Sequence, residues 1–176
     1  LGYRLEANYE DAFKKPINSG NNEAILQYAF SYADGVTHSM DFYYTPAGDY
    51  TLIGQEAGGG GYGTPTQEMV ESYELATGGF PDWSEWHNAD GTTATPPYAD
   101  LEPRFHATVL YNGAPWKSRT IEPYINGIDG WASWKTEREP KGKTTTGYYL
   151  KKLADETNTT LVGSDMPITI LRYAEV

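Results

Sequence analysis

The sequence contains no cysteine, which excludes disulfides, thiolate metal sites and cysteine nucleophiles within it. Histidine is almost as scarce. His38, His87 and His106 stand far apart, with no i, i+4 pair and no HExxH run, so a zinc centre is not expected. Cations are outnumbered as well: 13 Lys and Arg face 24 Asp and Glu, and the formal net charge of −11 repels a phosphate backbone, so nucleic acid is not expected as a partner. No apolar run approaches the length of a membrane-spanning helix, and no fixed-period repeat is visible. The glycine run from Gly58 to Gly61, followed by Gly63, suggests a phosphate loop, but such a loop needs a lysine after its last glycine, and Thr64 stands there.

Aromatic side chains are what the chain has in plenty, at 15 Tyr, 5 Trp and 5 Phe, or 14% of residues. Most rings in any protein pack into the core. Here Trp83, Trp86, Trp116, Trp131 and Trp134 are all expected in loops or at strand ends rather than at core-periodic positions. Two aromatic excursions stand out, Phe80–His87 (FPDWSEWH) and Tyr124–Trp134 (YINGIDGWASW). Rings set among amides and carboxylates suit sugars, because a pyranose stacks its C–H face on a ring while its hydroxyls need hydrogen-bond partners.

Local patterns give a coarse set of elements. Leu1, Leu5, Tyr9 and Phe13, with Lys14-Lys15 and then Pro16, predict the tail of a helix, and the alternation around Leu26, Tyr28 and Phe30 predicts a strand. From Asp34 to Gly63 no period holds, and a long irregular loop is expected. Thr64 as N-cap, Pro65 at the first helical position and Gln67 closing a capping box predict a helix whose apolar face carries Met69, Val70, Tyr73 and Ala76 and which ends at Gly78-Gly79. Phe105, Ala107, Val109 and Tyr111 alternate as a strand that stops at Asn112-Gly113. Tyr148 to Leu150 reads as a strand, and Ser164 or Asp165 caps a final helix entering at Pro167.

Several blocks occur in a fixed order: Pro65-Thr66-Gln67 with Tyr73-Glu74; Pro97-Tyr98 with Pro103-Arg104-Phe105; Ala107 to Trp116; Thr146 to Leu153; and Arg172 to Val176. In these the chain resembles the SusD/RagB family of surface glycan-binding lipoproteins, whose pattern runs PTxxLVxxYE, PYxxRDPRF, ATVxYNGxxW, TGYYxxKF and RYAEvLL. Leu101-Glu102 departs from it, standing where the family usually has Arg-Asp, so a cation is lost from that turn while the spacing is kept. The resemblance implies a mainly α fold, an α-α superhelix of tetratricopeptide-like helices with long loops and short strands. The piece seen here reads as mixed α+β with much irregular structure, residues 1–176 being part of a single SusD/RagB domain truncated at both ends. It also implies a binder rather than an enzyme, which captures an oligosaccharide at the cell outer membrane and passes it to a SusC-like TonB-dependent transporter. No cofactor is implied, and membrane attachment would come only through an N-terminal lipid anchor absent from this chain.

The aromatic excursions supply the candidate glycan contacts: Trp83 and Trp86 beside Asp82 and Asn88, and Tyr124, Trp131 and Trp134 beside Asn126 and Asp129. Carboxylate pairs for glycoside hydrolysis can be nominated, Asp82 with Glu85 or Asp129 with Glu137, although any acidic chain offers such pairs and surface carboxylates are the ordinary outcome. Asn88, Asp90 and Thr92 lack the glutamate that completes a calcium loop, and Asn158-Thr159-Thr160 matches a glycosylation sequon. Two rivals to glycan capture remain. One is a hydrolase or accessory domain using the same aromatic surface; the other is peptide uptake of the RagB type, with the acidic surface favouring basic peptides.

Overall fold

The computed structural model describes residues 2–54, 60–86, 96–131, 143–152 and 154–176. Its helices are short and its strands pair two by two. In order they are α1 (Asp11–Lys14), β1 (Ala24–Tyr28), α2 (Met40–Tyr44), α3 (Ala47–Leu52), α4 (Gln67–Glu71), α5 (Pro103–Thr108), β2 (Val109–Leu110), β3 (Pro115–Trp116), β4 (Arg119–Thr120), β5 (Tyr149–Leu150) and β6 (Ile168–Arg172). The antiparallel pairs are β1 with β6, β2 with β5, and β3 with β4. Among the described residues no helix is long and apolar enough to cross a membrane.

The β2–β5 pair divides the core. Because successive side chains of a strand point to opposite faces, Leu110 and Tyr149 join Ala47, Ala114, Trp116, Ile121 and Ala154 on one side, while Val109 and Tyr148 join Val70, Tyr98, Leu101 and Phe105 on the other. The second group is a stack of rings, with Tyr98 and Phe105 nearly parallel at 5.8 Å and Tyr98 bonded to Tyr148 through their hydroxyls at 2.7 Å.

Several expected elements are replaced, each for a tertiary reason. The helix predicted to run to Gly78-Gly79 stops at Glu71, because the backbone beyond it pairs with the segment before α5: Glu102 N–H donates to Glu74 O and Ala76 N–H to Asp100 O. Its N-cap is Thr66, whose hydroxyl accepts from Met69 N–H at 3.3 Å, two residues later than Thr64. The strand predicted over Phe105–Tyr111 is helical up to Thr108, with Pro103 in its first turn, and only Val109 and Leu110 are extended. Of the final helix only a 3₁₀ turn at Tyr173–Glu175 forms. Residues 168–172 instead form β6, whose Ile-Thr-Ile run has β-branched side chains that suit a strand, and pair with β1. Of the helix tail predicted from Leu1 to Lys15, Asp11–Lys14 is helical among the described residues, and the predicted irregular loop 34–63 contains α2 and α3.

The sequon is structural. Asn158 is buried, its amide donates to Asp41 Oδ2 at 3.0 Å, and its Oδ1 accepts from the backbone of Thr160 and Leu161, so the folded chain does not offer it for glycosylation.

Candidate functional site

The segment from Ile121 to Trp131 contains no helix or strand, yet much of its backbone is hydrogen-bonded. Asn126 N–H donates to Trp131 O at 2.7 Å, Gly127 N–H to Tyr124 O at 2.9 Å, and Asp129 N–H to Glu122 O at 3.1 Å. The turns close so tightly that a Cβ at Gly130 would overlap the Tyr124 carbonyl, which is why glycine stands there. Trp131 donates its indole N–H to Thr144 O at 3.0 Å, and Lys143 Nζ lies 3.3 Å from Ile128 O.

Asp129 is the fastener of this loop, not a surface group. Its side chain is completely buried. Oδ1 accepts from Gly48 N–H and Arg119 Nη2 at 2.9 Å each, and Oδ2 accepts from Arg119 Nη1 at 2.7 Å and Glu122 N–H at 2.9 Å. Its carbonyl accepts from the Tyr149 hydroxyl at 2.6 Å. Gly48 is needed for this approach, since a Cβ there would sit 2.6 Å from Asp129 Oδ1. Arg119 reaches on to a second buried carboxylate, Asp49, at 2.6 Å. Asp49 also takes Thr45 Oγ1 (2.7 Å), the Trp116 indole N–H (2.9 Å) and Lys117 Nζ (2.9 Å). Burial pushes the Asp49 carboxyl up, but Arg119, Trp116 and Lys117 outweigh it and hold it below the ordinary carboxylate range.

The nominated contacts therefore separate. Tyr124 is 53% exposed on the clamped loop, and Asn126 beside it is exposed in a left-handed conformation (φ 67°). Trp131 is half-buried at the loop's end. Asp129, enclosed and fully bonded, is withdrawn from the set that can touch a ligand. Trp83 is half-buried against the Tyr98–Phe105 stack, its ring 6.2 Å from Tyr98. Trp86 ends the same 3₁₀ turn; its side chain is outside the described residues, as are Trp134, His87, Asn88, Asp90, Thr92 and Glu137. Trp116, expected at a loop or strand end, lies on β3 with 1% of its surface exposed.

A further aromatic pair was not singled out from the sequence. Tyr43 and Tyr62 are 47% and 51% exposed, with rings edge to face at 5.6 Å. The described end of the glycine run makes them neighbours: Gly60 N–H donates to Phe42 O, Gly61 N–H to Thr45 O and Tyr62 N–H to Tyr43 O. Those amides are thus spent on α2 rather than presented to an anion. The available signal was an aromatic cluster, Phe42-Tyr43-Tyr44, opposite Tyr62 across the glycines.

The remaining chemistry is limited. Asp82 is exposed, and the Ser84 hydroxyl and N–H hold its carboxyl below the usual range. His38 ties two segments, accepting from Met40 N–H at Nδ1 and placing Nε2 2.9 Å from Met166 O. Among the described residues no group of His, Asp and Glu is arranged to hold a metal ion.

Loops fixed by buried polar contacts, between short helices and paired strands, define a scaffold that presents loops. Two solved structures from Bacteroides fragilis share it. One, a SusD-like carbohydrate binding protein, aligns with 98% of this chain at a TM-score of 0.68 and 18% identity; the other, a SusD-like protein, aligns with 99% at 0.68 and 22%. The chain spans about a third of their length, 31% of the first and 35% of the second. The chain belongs to the SusD family, whose model matches residues 22–176. A search of curated protein sequences finds no match.

Proposed function

We propose that this chain is part of a single SusD/RagB domain of a cell-surface protein that captures an oligosaccharide at the outer membrane and delivers it to a SusC-like TonB-dependent transporter. The observation that carries the reading is the half-exposed Tyr124 ring held, with Asn126, on a loop clamped through Asp129, within a chain of the SusD family. A ring fixed in advance loses little freedom when a sugar stacks on it, so weak C–H contacts suffice. Trp131, at the end of the same loop, and the Tyr43–Tyr62 pair offer further rings, and Trp83, Trp86 and Trp134 stay as secondary candidates. The carbohydrate-binding description of one structural relative supports the same ligand class.

Binding without cleavage fits the two nominated carboxylates that the structure describes, Asp82 and Asp129. Glycoside hydrolysis needs one carboxyl held protonated as an acid. Asp129 is sealed inside an ion pair, and Asp82 is held below its ordinary value, opposite to what an acid requires.

Titration of neutral hexasaccharides of glucose, xylose and mannose, followed by tryptophan fluorescence, tests this. Saturable binding of one class that Tyr124→Ala weakens by about tenfold is expected. Release of new reducing ends would move the protein to the hydrolases, and capture of basic peptides alone, weakening with salt, would move it to peptide uptake.

A further inference from the structure

A concavity lies away from the Tyr124 loop. It is a groove of about 860 Å³ between the turn after α1, the end of β1, and the segments 155–157 and 165–167. Ile17, Phe30 and Met166 give it apolar walls, and Asn18, Thr157 and Asp165 give it hydrogen-bonding edges. Binding clefts for small ligands combine these two kinds of lining in volumes of roughly 300–1,000 Å³.

Each wall is fixed by its own polar tie. Gln27 accepts from Ile17 N–H at 2.8 Å and donates to Lys15 O and Thr169 Oγ1 at 2.9 Å each. His38 holds the 164–166 wall through Met166 O and a paired backbone bridge with Ser164. Buried Asp41 holds the 155–158 wall, accepting from Asp155 N–H at 2.6 Å and from the Asn158 amide. The groove is therefore formed before any ligand arrives.

Four of the six charged groups around it pair off, and the carboxylates of Asp155 and Asp165 have no cation among the described residues. Lys14 and Lys151 both pair with Glu10 and Glu156, at 2.6 to 3.7 Å, and the Asp155 carboxylate accepts from Thr157 N–H and Oγ1. What remains for a ligand is a set of neutral donors and acceptors, the Asp155 and Asp165 carboxylates, which can accept from hydroxyls, and an apolar wall with one ring.

We infer that this groove is a second carbohydrate subsite, which takes a neutral oligosaccharide rather than a single sugar. The inference rests on the proposed glycan-binding role and adds a place and a length requirement to it. A ligand bridging hydroxyls to Asn18 and Asp165 while laying C–H faces on Ile17 and Phe30 must extend along the groove.

The test uses the same hexasaccharides and the matching monosaccharides, by calorimetry, on the protein and on three variants: Asn18→Ala with Asp165→Asn, Phe30→Leu, and Tyr124→Ala. Asn18 and Asp165 are exposed, so their replacement leaves the fold intact, and Phe30→Leu keeps bulk while removing the ring. The expected result is hexasaccharide binding that survives Tyr124→Ala in weakened form, is weakened about tenfold by either groove variant, and is absent for the monosaccharide. If Tyr124→Ala abolishes all binding and the groove variants bind normally, the groove inference is overturned and the proposed function stands. If no saccharide binds at all, both fall. Binding of oligolysine that salt and Asp165→Asn abolish would reassign the groove to basic peptides.

Discussion

The loop 121–131 and the β1–β6 ribbon are held in place by different means. The ribbon has a ladder of backbone bonds, interrupted by register shifts between Ala24 and Gln27. One side packs on α1, where Thr169 Oγ1 donates to Ala12 O, but Leu26 and Ile170 remain 51% and 59% exposed. The loop has no ladder, yet a buried carboxylate, a guanidinium and a tyrosine hydroxyl fasten it to α3, β4 and β5. In the loop, satisfied buried polar groups fix the backbone where no secondary structure does.

The sharpest way to break that contrast is Asp129→Ala. It strands the Gly48 and Glu122 N–H groups and leaves Arg119 half-paired in the interior, so unfolding stability should fall by about 3–5 kcal/mol. Urea midpoints measure it; a loss under about 1 kcal/mol would mean the loop is held by something other than this carboxylate.

A smaller effect is expected at Asp49. Its folded pKa lies below the unfolded value, so its contribution is present above the ordinary aspartate pKa of about 3.9 and is lost as pH falls through the lower folded value. Asp49→Asn should cost about 1–3 kcal/mol at pH 7. That difference should shrink once the pH drops below about 4. Paired denaturation curves at neutral and acid pH check this, and a gap that stays constant with pH would refute the assignment.

The smallest effect belongs to the ribbon. Leu26→Thr and Ile170→Thr remove apolar surface that is already half in water, and each should change stability by less than about 0.5 kcal/mol. A large loss would show that this face is covered in solution.

Much of the local punctuation was legible. Gly113 with its positive φ ends the segment at Asn112-Gly113 as expected, β5 falls within the predicted strand 148–150, β1 overlaps the predicted strand but ends before Phe30, and the ordered blocks led to the family. Helix lengths were not legible, since α4 is cut short by pairing between 74–76 and 100–102, and residues 168–172 of the apparent final helix are claimed as a strand by β1. Among candidate contacts, Tyr124 and Asn126 could be named from their loop, but nothing local separates the enclosed Asp129 from an exposed carboxylate such as Asp82.

By itself the sequence determined what chemistry is impossible, where the chain must turn, and which family's motif order it follows. All of these depend on residue type and short-range spacing. Only the tertiary structure decided which rings face water and which carboxylates are locked inside. Trp116 is buried because Asp49 lies opposite its indole N–H, and Asp129 because Gly48 and Arg119 meet it from separate segments. Burial and charge pairing are set by what arrives from across the fold, and local sequence carries no record of that.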